Sequence, residues 1–262
     1  MAFTIPTLAE RNFFTRTTHR FNVRAAWLQG ILIFIACFAV LSMLVFSVQG
    51  FVGTDDYYHA RIADLIITQG RLRVDFPWLP QTILSNDQFV DHHLLFHMFV
   101  APWSHWGGMT GAKLATASIA AGVFVAAWAL MRQIGVRRAW LWTLALFAMS
   151  SPFLYRLLMV RTQGAALLLI VVALYLLVTR RDRWLLPLAF AFAWLYNGFA
   201  LILGVVALYA AAVYVVERRL AWRAPAYTAI GLILGLVINP YFPNNVTFIF
   251  EHLGAKVDFE NG

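Results

Sequence analysis

The sequence predicts an all-α polytopic membrane protein with about seven transmembrane helices and a long first extracytoplasmic loop that contains amphipathic helices. Three observations predict this. Of 262 residues, 61% are hydrophobic and 12% charged, against roughly a quarter charged in soluble domains. Seven apolar stretches approach the about 20 residues that span ~30 Å of hydrocarbon: Ala26–Val48, Lys113–Met131, Ala139–Leu154, Gly164–Val178, Trp184–Tyr196, Phe199–Val216 and Ala224–Ile238. Finally, charge is segregated. Four stretches (1–25, 132–138, 180–183 and 217–223) hold 13 of the 20 Lys and Arg, whereas nine of the 12 acids and six of the seven histidines lie at the opposite ends of the spans.

The basic stretches orient the chain. By the positive-inside rule the N-terminus is cytoplasmic and the C-terminus extracytoplasmic, and the expected location is a bacterial inner membrane. The net charge of +8 therefore reports topology and contact with anionic lipid, not nucleic acid. Cys37, the single cysteine, lies in the first span, which excludes an intramolecular disulfide.

Residues 1–25 read as a basic cytoplasmic arm and residues 26–262 as one transmembrane domain. The first span is too long for the 7–15-residue core of a cleaved signal peptide and reads as a signal anchor. Residues 49–111 form external loop 1, which is far longer than a simple connection. One helix is expected there from Thr54, as N-cap, to just before Gly70, as the residue after the C-cap. Its Tyr58, Ile62, Leu65 and Ile66 recur at helical spacing, as for a helix lying in the membrane interface. Phe76-Pro77-Trp78-Leu79-Pro80 is expected to be extended. A second helix runs from Asp91 to Trp103, and Pro102, Gly107, Gly108 and Gly111 separate it from the second span. The later loops are tight.

Chemistry is concentrated in two knots on the external side. Asp55, Asp56 and His59 stand at i, i+1 and i+4, so Asp55 and His59 share a face and can converge on a cation or a proton. Capping of the helix accounts for one acid only. Asp91, His92, His93 and His97 form the second knot. His93-x-x-x-His97 has a zinc-ligand spacing, but Leu94 stands where the zincin signature carries Glu; the imidazoles can equally contact phosphate or accept a proton. Arg156 and Arg161, at the outer ends of the third and fourth spans, can grip a phosphate or simply snorkel to the interface.

Thr54-Asp55-Asp56-Tyr57-Tyr58-His59-Ala60-Arg61 resembles the Asp-x-Tyr-Tyr-His-x-Arg element of the first external loop in GT-C glycosyltransferases, especially the catalytic subunits of oligosaccharyltransferases. Ser151-Pro152-Phe153-Leu154-Tyr155 and Arg161-Thr162 look like further parts of that layout. The resemblance implies a seven-helix membrane module that takes a sugar from a polyprenyl phosphate or pyrophosphate. It implies Asp55 as the loop aspartate that binds metal or acts as base, and Arg161 near the donor phosphate. Two features depart from the pattern. No carboxylate follows Arg161-Thr-Gln-Gly164, and the Trp-Trp-Asp acceptor motif does not occur.

The function expected is transfer of a sugar from a polyprenyl-(pyro)phosphate donor at the extracytoplasmic face. Asp55 and Asp56 are the expected catalytic residues, and His59, Arg61, His92, His97, Arg156 and Arg161 the substrate-binding ones. Asp55, Asp91 and His93 are expected to hold a divalent cation, Mg²⁺ or Mn²⁺. The partners are the lipid-linked sugar, membrane lipids and another membrane subunit. Two rivals stand beside this reading: a non-catalytic scaffold subunit that keeps the module, and a metal-dependent lipid-phosphate hydrolase using the histidines.

Overall fold

The computed structural model describes residues 23–76, 78 and 89–251. Most of the basic arm and most of Phe76–Pro80 lie outside the described residues. Among the described residues nine α-helices follow one another: α1 (Val23–Phe46), α2 (Asp56–Thr68), α3 (Leu94–Gln133), α4 (Ala139–Ala145), α5 (Ser151–Leu158), α6 (Thr162–Val178), α7 (Leu185–Leu195), α8 (Ala200–Glu217) and α9 (Arg223–Val237). A further helical stretch covers 244–251, and no strand occurs among the described residues.

Among the described residues three helices are long and apolar enough to cross a membrane, α1 over Arg24–Phe46, α3 and α8, or four if the bent pair Ala139–Ala148 and Ser151–Leu158 is one span. The expected count of seven does not follow from length. At 1.5 Å per residue, the 11 residues of α7 reach only about 16 Å, and α6 and α9 are shorter apolar helices of 17 and 15 residues. The stretch expected to cross as Ala139–Leu154 is bent by 92° between Ala148 and Ser151. There Ser150, extended at φ −168°, accepts a 3.2 Å hydrogen bond from the Phe153 N–H, and Pro152 sits in the first turn of α5. This cap stops one helix and starts another.

The surface agrees with an apolar surround. Trp27, Leu28, Ile31, Leu32 and Ile35 on α1 and Leu208, Val215 and Val216 on α8 are all exposed. Such a continuous apolar face is not stable in water.

Loop 1 folds back onto the bundle. Helix α2 begins one residue later than expected, with Asp55 at the N-cap, and ends at Gln69 followed by Gly70 at φ +64°, a conformation that glycine adopts without strain. Ile62, Ala63, Leu65 and Ile66 are buried, and α2 packs on the first half of α3. Pro102 lies inside α3 without ending it; the break falls at Gly108 (φ 53°, ψ −138°). The bend brings the Trp103 carbonyl so close to Gly111 that any side chain there would overlap it.

The tightest helix pair is α7 with α9. Gly231 and Gly235 of α9, one helical turn apart, lie against the Leu186 and Phe190 carbonyls of α7, where an added Cβ at Gly235 would stand 2.8 Å from Phe190 O. Trp194 Nε1–H donates to the Gly235 carbonyl at 2.8 Å. Small residues let apolar helices approach this closely. Gly235→Leu is expected to cost about 1–3 kcal/mol through overpacking, read as a lower Tm of the purified protein in detergent. An unchanged Tm would show that the α7–α9 contact is not close-packed.

Candidate functional site

The ends of α1, α7 and α9 and the starts of α2, α3 and α6 meet at one end of the bundle, and both sequence knots lie there. The first knot divides. Asp56 turns inward and is 0% exposed: its Oδ2 accepts from the Gly53 N–H at 3.0 Å, the Val160 backbone also favours its charged form, and its Oδ1 makes no well-formed hydrogen bond among the described residues. A Cβ at Gly53 would stand 3.0 Å from that oxygen, so glycine is needed for the fit. Burial raises the Asp56 pKa, with the Gly53 N–H and Arg161 opposing. Asp55 turns outward instead, and its Oδ2 lies 3.0 Å from Arg161 Nη2. Arg161 is the extended N-cap residue of α6, so this ion pair ties the start of α2 to the start of α6. The expected convergence of Asp55 with His59 is thus replaced by Asp55 with Arg161.

His59 faces α3 and meets the second knot. Asp91 Oδ2 is 2.7 Å from His97 Nδ1, and His97 Nε2 is 2.8 Å from His59 Nδ1. All three side chains are buried, at 3%, 0% and 5% exposure. For neutral rings and an accepting carboxylate, the distances assign the tautomers. His97 Nδ1–H donates to the carboxylate, its Nε2 accepts from His59 Nδ1–H, and the lone pair of the chain falls on His59 Nε2. That nitrogen makes no hydrogen bond among the described residues. Asp91 Oδ1 accepts from the His93 N–H at 3.0 Å, which fixes the carboxylate at the start of α3.

His92 and His93 flank the chain. His93 Nδ1–H donates to the Leu195 carbonyl at 3.3 Å, at the end of α7. His92 Nδ1–H donates to the Val90 carbonyl at 3.4 Å, and the His92 ring stacks on Phe248. Burial, then the neighbouring histidines His97 and His92 and the Arg161 charge, hold the His59 pKa far below its ordinary value; burial, then His92, His59 and His97, do the same for His93. Both imidazoles are therefore neutral.

Two expected substrate residues lie elsewhere. Arg61 points away from His59 and pairs with Asp64 at 2.7 Å, while His105 Nδ1 lies 2.9 Å from the other Asp64 oxygen. Arg156 is exposed on α5 and forms no ion pair among the described residues. The expected metal set is not assembled either. Among the described residues no three or more His, Cys, Asp or Glu side chains are grouped to hold a metal ion. Asp91 has both oxygens in hydrogen bonds, and Asp55 is paired with Arg161. The residues present do not fit a cation as arranged, and no chemical step is derived through one.

Two residues that frame the site were not singled out by sequence. Lys113, 2% exposed, donates from Nζ to the Val48 carbonyl at 2.7 Å beside the Phe46 ring, fastening α3 to the end of α1. Tyr241, 1% exposed, donates to the Leu72 carbonyl at 3.1 Å and accepts from the Val74 N–H at 3.2 Å, fastening the segment after α9 to the loop after α2. A cation at the edge of an apolar run and a tyrosine between two prolines were the only traces of them.

No protein-family model matches the chain, and no curated protein and no solved structure is significantly similar to it. Its function therefore has to be argued from the geometry.

The neutral histidines make stability depend on pH in a definite direction. In the unfolded chain their pKa is about 6.5, and folding lowers it, so their contribution is complete above pH ~6.5 and is lost as pH falls below it, by at most about 1.4 kcal/mol per pH unit for each histidine. Asp56, whose pKa is raised, acts in the opposite direction only as pH rises through the carboxylate range. Tm is expected to fall between pH 7 and pH 5, and to fall less steeply in His59→Gln. Equal slopes would mean that His59 is not buried as a neutral base.

Proposed function

We propose that the chain is an integral membrane glycosyltransferase that moves a sugar from a polyprenyl-(pyro)phosphate to an acceptor at the end of the bundle where the two knots meet. In this reading the polar end faces the extracytoplasmic side of a bacterial inner membrane, the arginine-rich end faces the cytoplasm, and the shorter apolar helices complete a seven-helix module. The observation that carries it is the hydrogen-bonded chain Asp91–His97–His59 beside the Asp55–Arg161 pair. It supplies a buried base and, beside it, a partly exposed phosphate-binding cation, and it adds to the resemblance of Thr54–Arg61 to the GT-C loop element.

The chain answers a difficulty. A buried histidine with a depressed pKa is a poor place for positive charge, yet a base must accept a proton. If the acceptor O–H gives its proton to His59 Nε2, then His59 Nδ1–H passes to His97 Nε2, and His59 stays neutral. The charge comes to rest on His97 against the Asp91 carboxylate. Meanwhile the bond from the acceptor oxygen to the sugar C1 forms and the C1–O bond to phosphate breaks. Arg161 receives the leaving phosphate, and Asp55 positions Arg161 beforehand. General-base assistance of this kind contributes roughly 10²–10⁴-fold.

The test uses purified protein in nanodiscs with a polyprenyl-phosphate sugar. Arg161→Ala is expected to weaken donor binding about tenfold or more, as for loss of a charged hydrogen bond of about 1.5–3 kcal/mol. Asp91→Asn is expected to leave binding intact and lower turnover by about 10²-fold. Absence of donor binding by the wild-type protein would favour the scaffold subunit. Release of phosphate from the lipid without transfer, lost in His59→Ala and retained in Asp55→Ala, would favour the hydrolase.

A further inference from the structure

The opposite end of the bundle carries a second site that the proposed chemistry does not use. Two cavities adjoin there. The first, about 920 Å³, is an apolar groove between α1, α3 and α6, lined among others by Trp27, Gly30, Phe34, Gly122 and Tyr175 and closed at one end by Arg132 and Arg181. The second, about 690 Å³, is polar and lies between the α6–α7 turn and the start of α9, lined by Arg180, Arg181, Asp182, Arg183, Arg223 and two aromatic residues. Arg181 lines both. A volume suited to hydrocarbon and one suited to an anion therefore share a lining arginine.

The groove is kept open by missing side chains. A Cβ on Gly30 would stand 3.3 Å from the Trp128 ring, and one on Gly122 3.3 Å from Leu168. One of the two cations at its end is held in place. Arg132 lies over the Trp128 ring at 5.3 Å and its Nη1 donates to Gln29 Oε1 at 3.1 Å, while Arg181 is exposed and forms no ion pair among the described residues. Of the two acids at this end among the described residues, Glu217 pairs with Arg180 and Arg219, and Asp182 lines the polar cavity with Oδ1 making no hydrogen bond among the described residues. Arginines outnumber acids around the cavity, and the balance favours an anion.

The backbone at this end is also unusual. The only non-glycine residues with positive φ among the described residues are Arg138 (54°), Arg180 (57°) and Arg218 (52°), one in each of the three basic turns. The left-handed conformation is disfavoured for a residue with a side chain. Glycine would relieve that strain, and arginine stands there instead.

We propose that this end binds one anionic phospholipid, with an acyl chain in the groove between α1, α3 and α6 and the headgroup phosphate on Arg132 and Arg181. A guanidinium offers bidentate donors to a phosphate, and the apolar groove discriminates a lipid from free phosphate. The exposed Trp27 and Trp184 mark the level at which headgroup meets hydrocarbon.

The test is native mass spectrometry of the whole chain released from detergent, titrated with phosphatidylglycerol or with phosphatidylcholine of the same acyl chains. Tm is read in parallel with lipid or with inorganic phosphate. One saturable phosphatidylglycerol is expected, bound at least tenfold more tightly than phosphatidylcholine. Arg132→Ala with Arg181→Ala is expected to abolish that preference. Gly122→Leu is expected to weaken both lipids; should it fail to fold, Gly30→Val serves in its place. Equal affinity for the two lipids, a preference that survives the double arginine variant, or stabilisation by millimolar inorganic phosphate equal to that by the lipid would each overturn the proposal.

Discussion

Burial of a carboxylate governs the polar end of this protein. Asp91 is 3% exposed, and a buried charge without partners is too costly to keep. Its oxygens are met by the His93 N–H and His97 Nδ1–H, and the need does not stop there. A neutral His97 that donates from Nδ1 presents a lone pair at Nε2, which in turn requires a donor, and His59 provides it at 2.8 Å. One buried acid thereby fixes the register of α2 against α3, the tautomers of two rings and the position of a basic nitrogen. Asp55 and Arg161 repeat the principle at partial exposure, linking α2 to α6. Structure and chemistry at this end rest on the same contacts.

The opposite end follows a different rule. There arginines lie in turns, two of the acids in the same region serve as partners or neighbours, and the groove between α1, α3 and α6 is apolar. The two ends share the bundle but no side chains. Substitutions confined to one are expected to leave the other intact, since distant sites without common partners behave additively.

Much of this was legible in the sequence. The helix over Asp56–Thr68, its glycine terminator and its apolar face follow from local spacing, as does the segregation of cations from acids and histidines. Spacing failed where the answer depended on a partner far along the chain. Asp55 and His59 are four residues apart, and that alone suggested a shared cation, yet Asp55 is drawn to Arg161 and His59 to His97, contacts that helical periodicity cannot encode. Hydropathy marked the run Ala139–Leu154 but not its bend: the Ser150 cap, with Pro152 in the turn that follows, folds it through 92°. Lys113 read as the polar edge of a span because a lysine seeking one particular carbonyl has no local signature.

The most direct test of the account is ¹⁵N NMR of histidine-labelled protein in nanodiscs at neutral pH. The account predicts that His97 and His59 are both Nδ1–H tautomers with a bare Nε2, and that a scalar coupling across the hydrogen bond links His59 Nδ1 to His97 Nε2. His97 protonated at Nε2, or no coupling between the two rings, would contradict it.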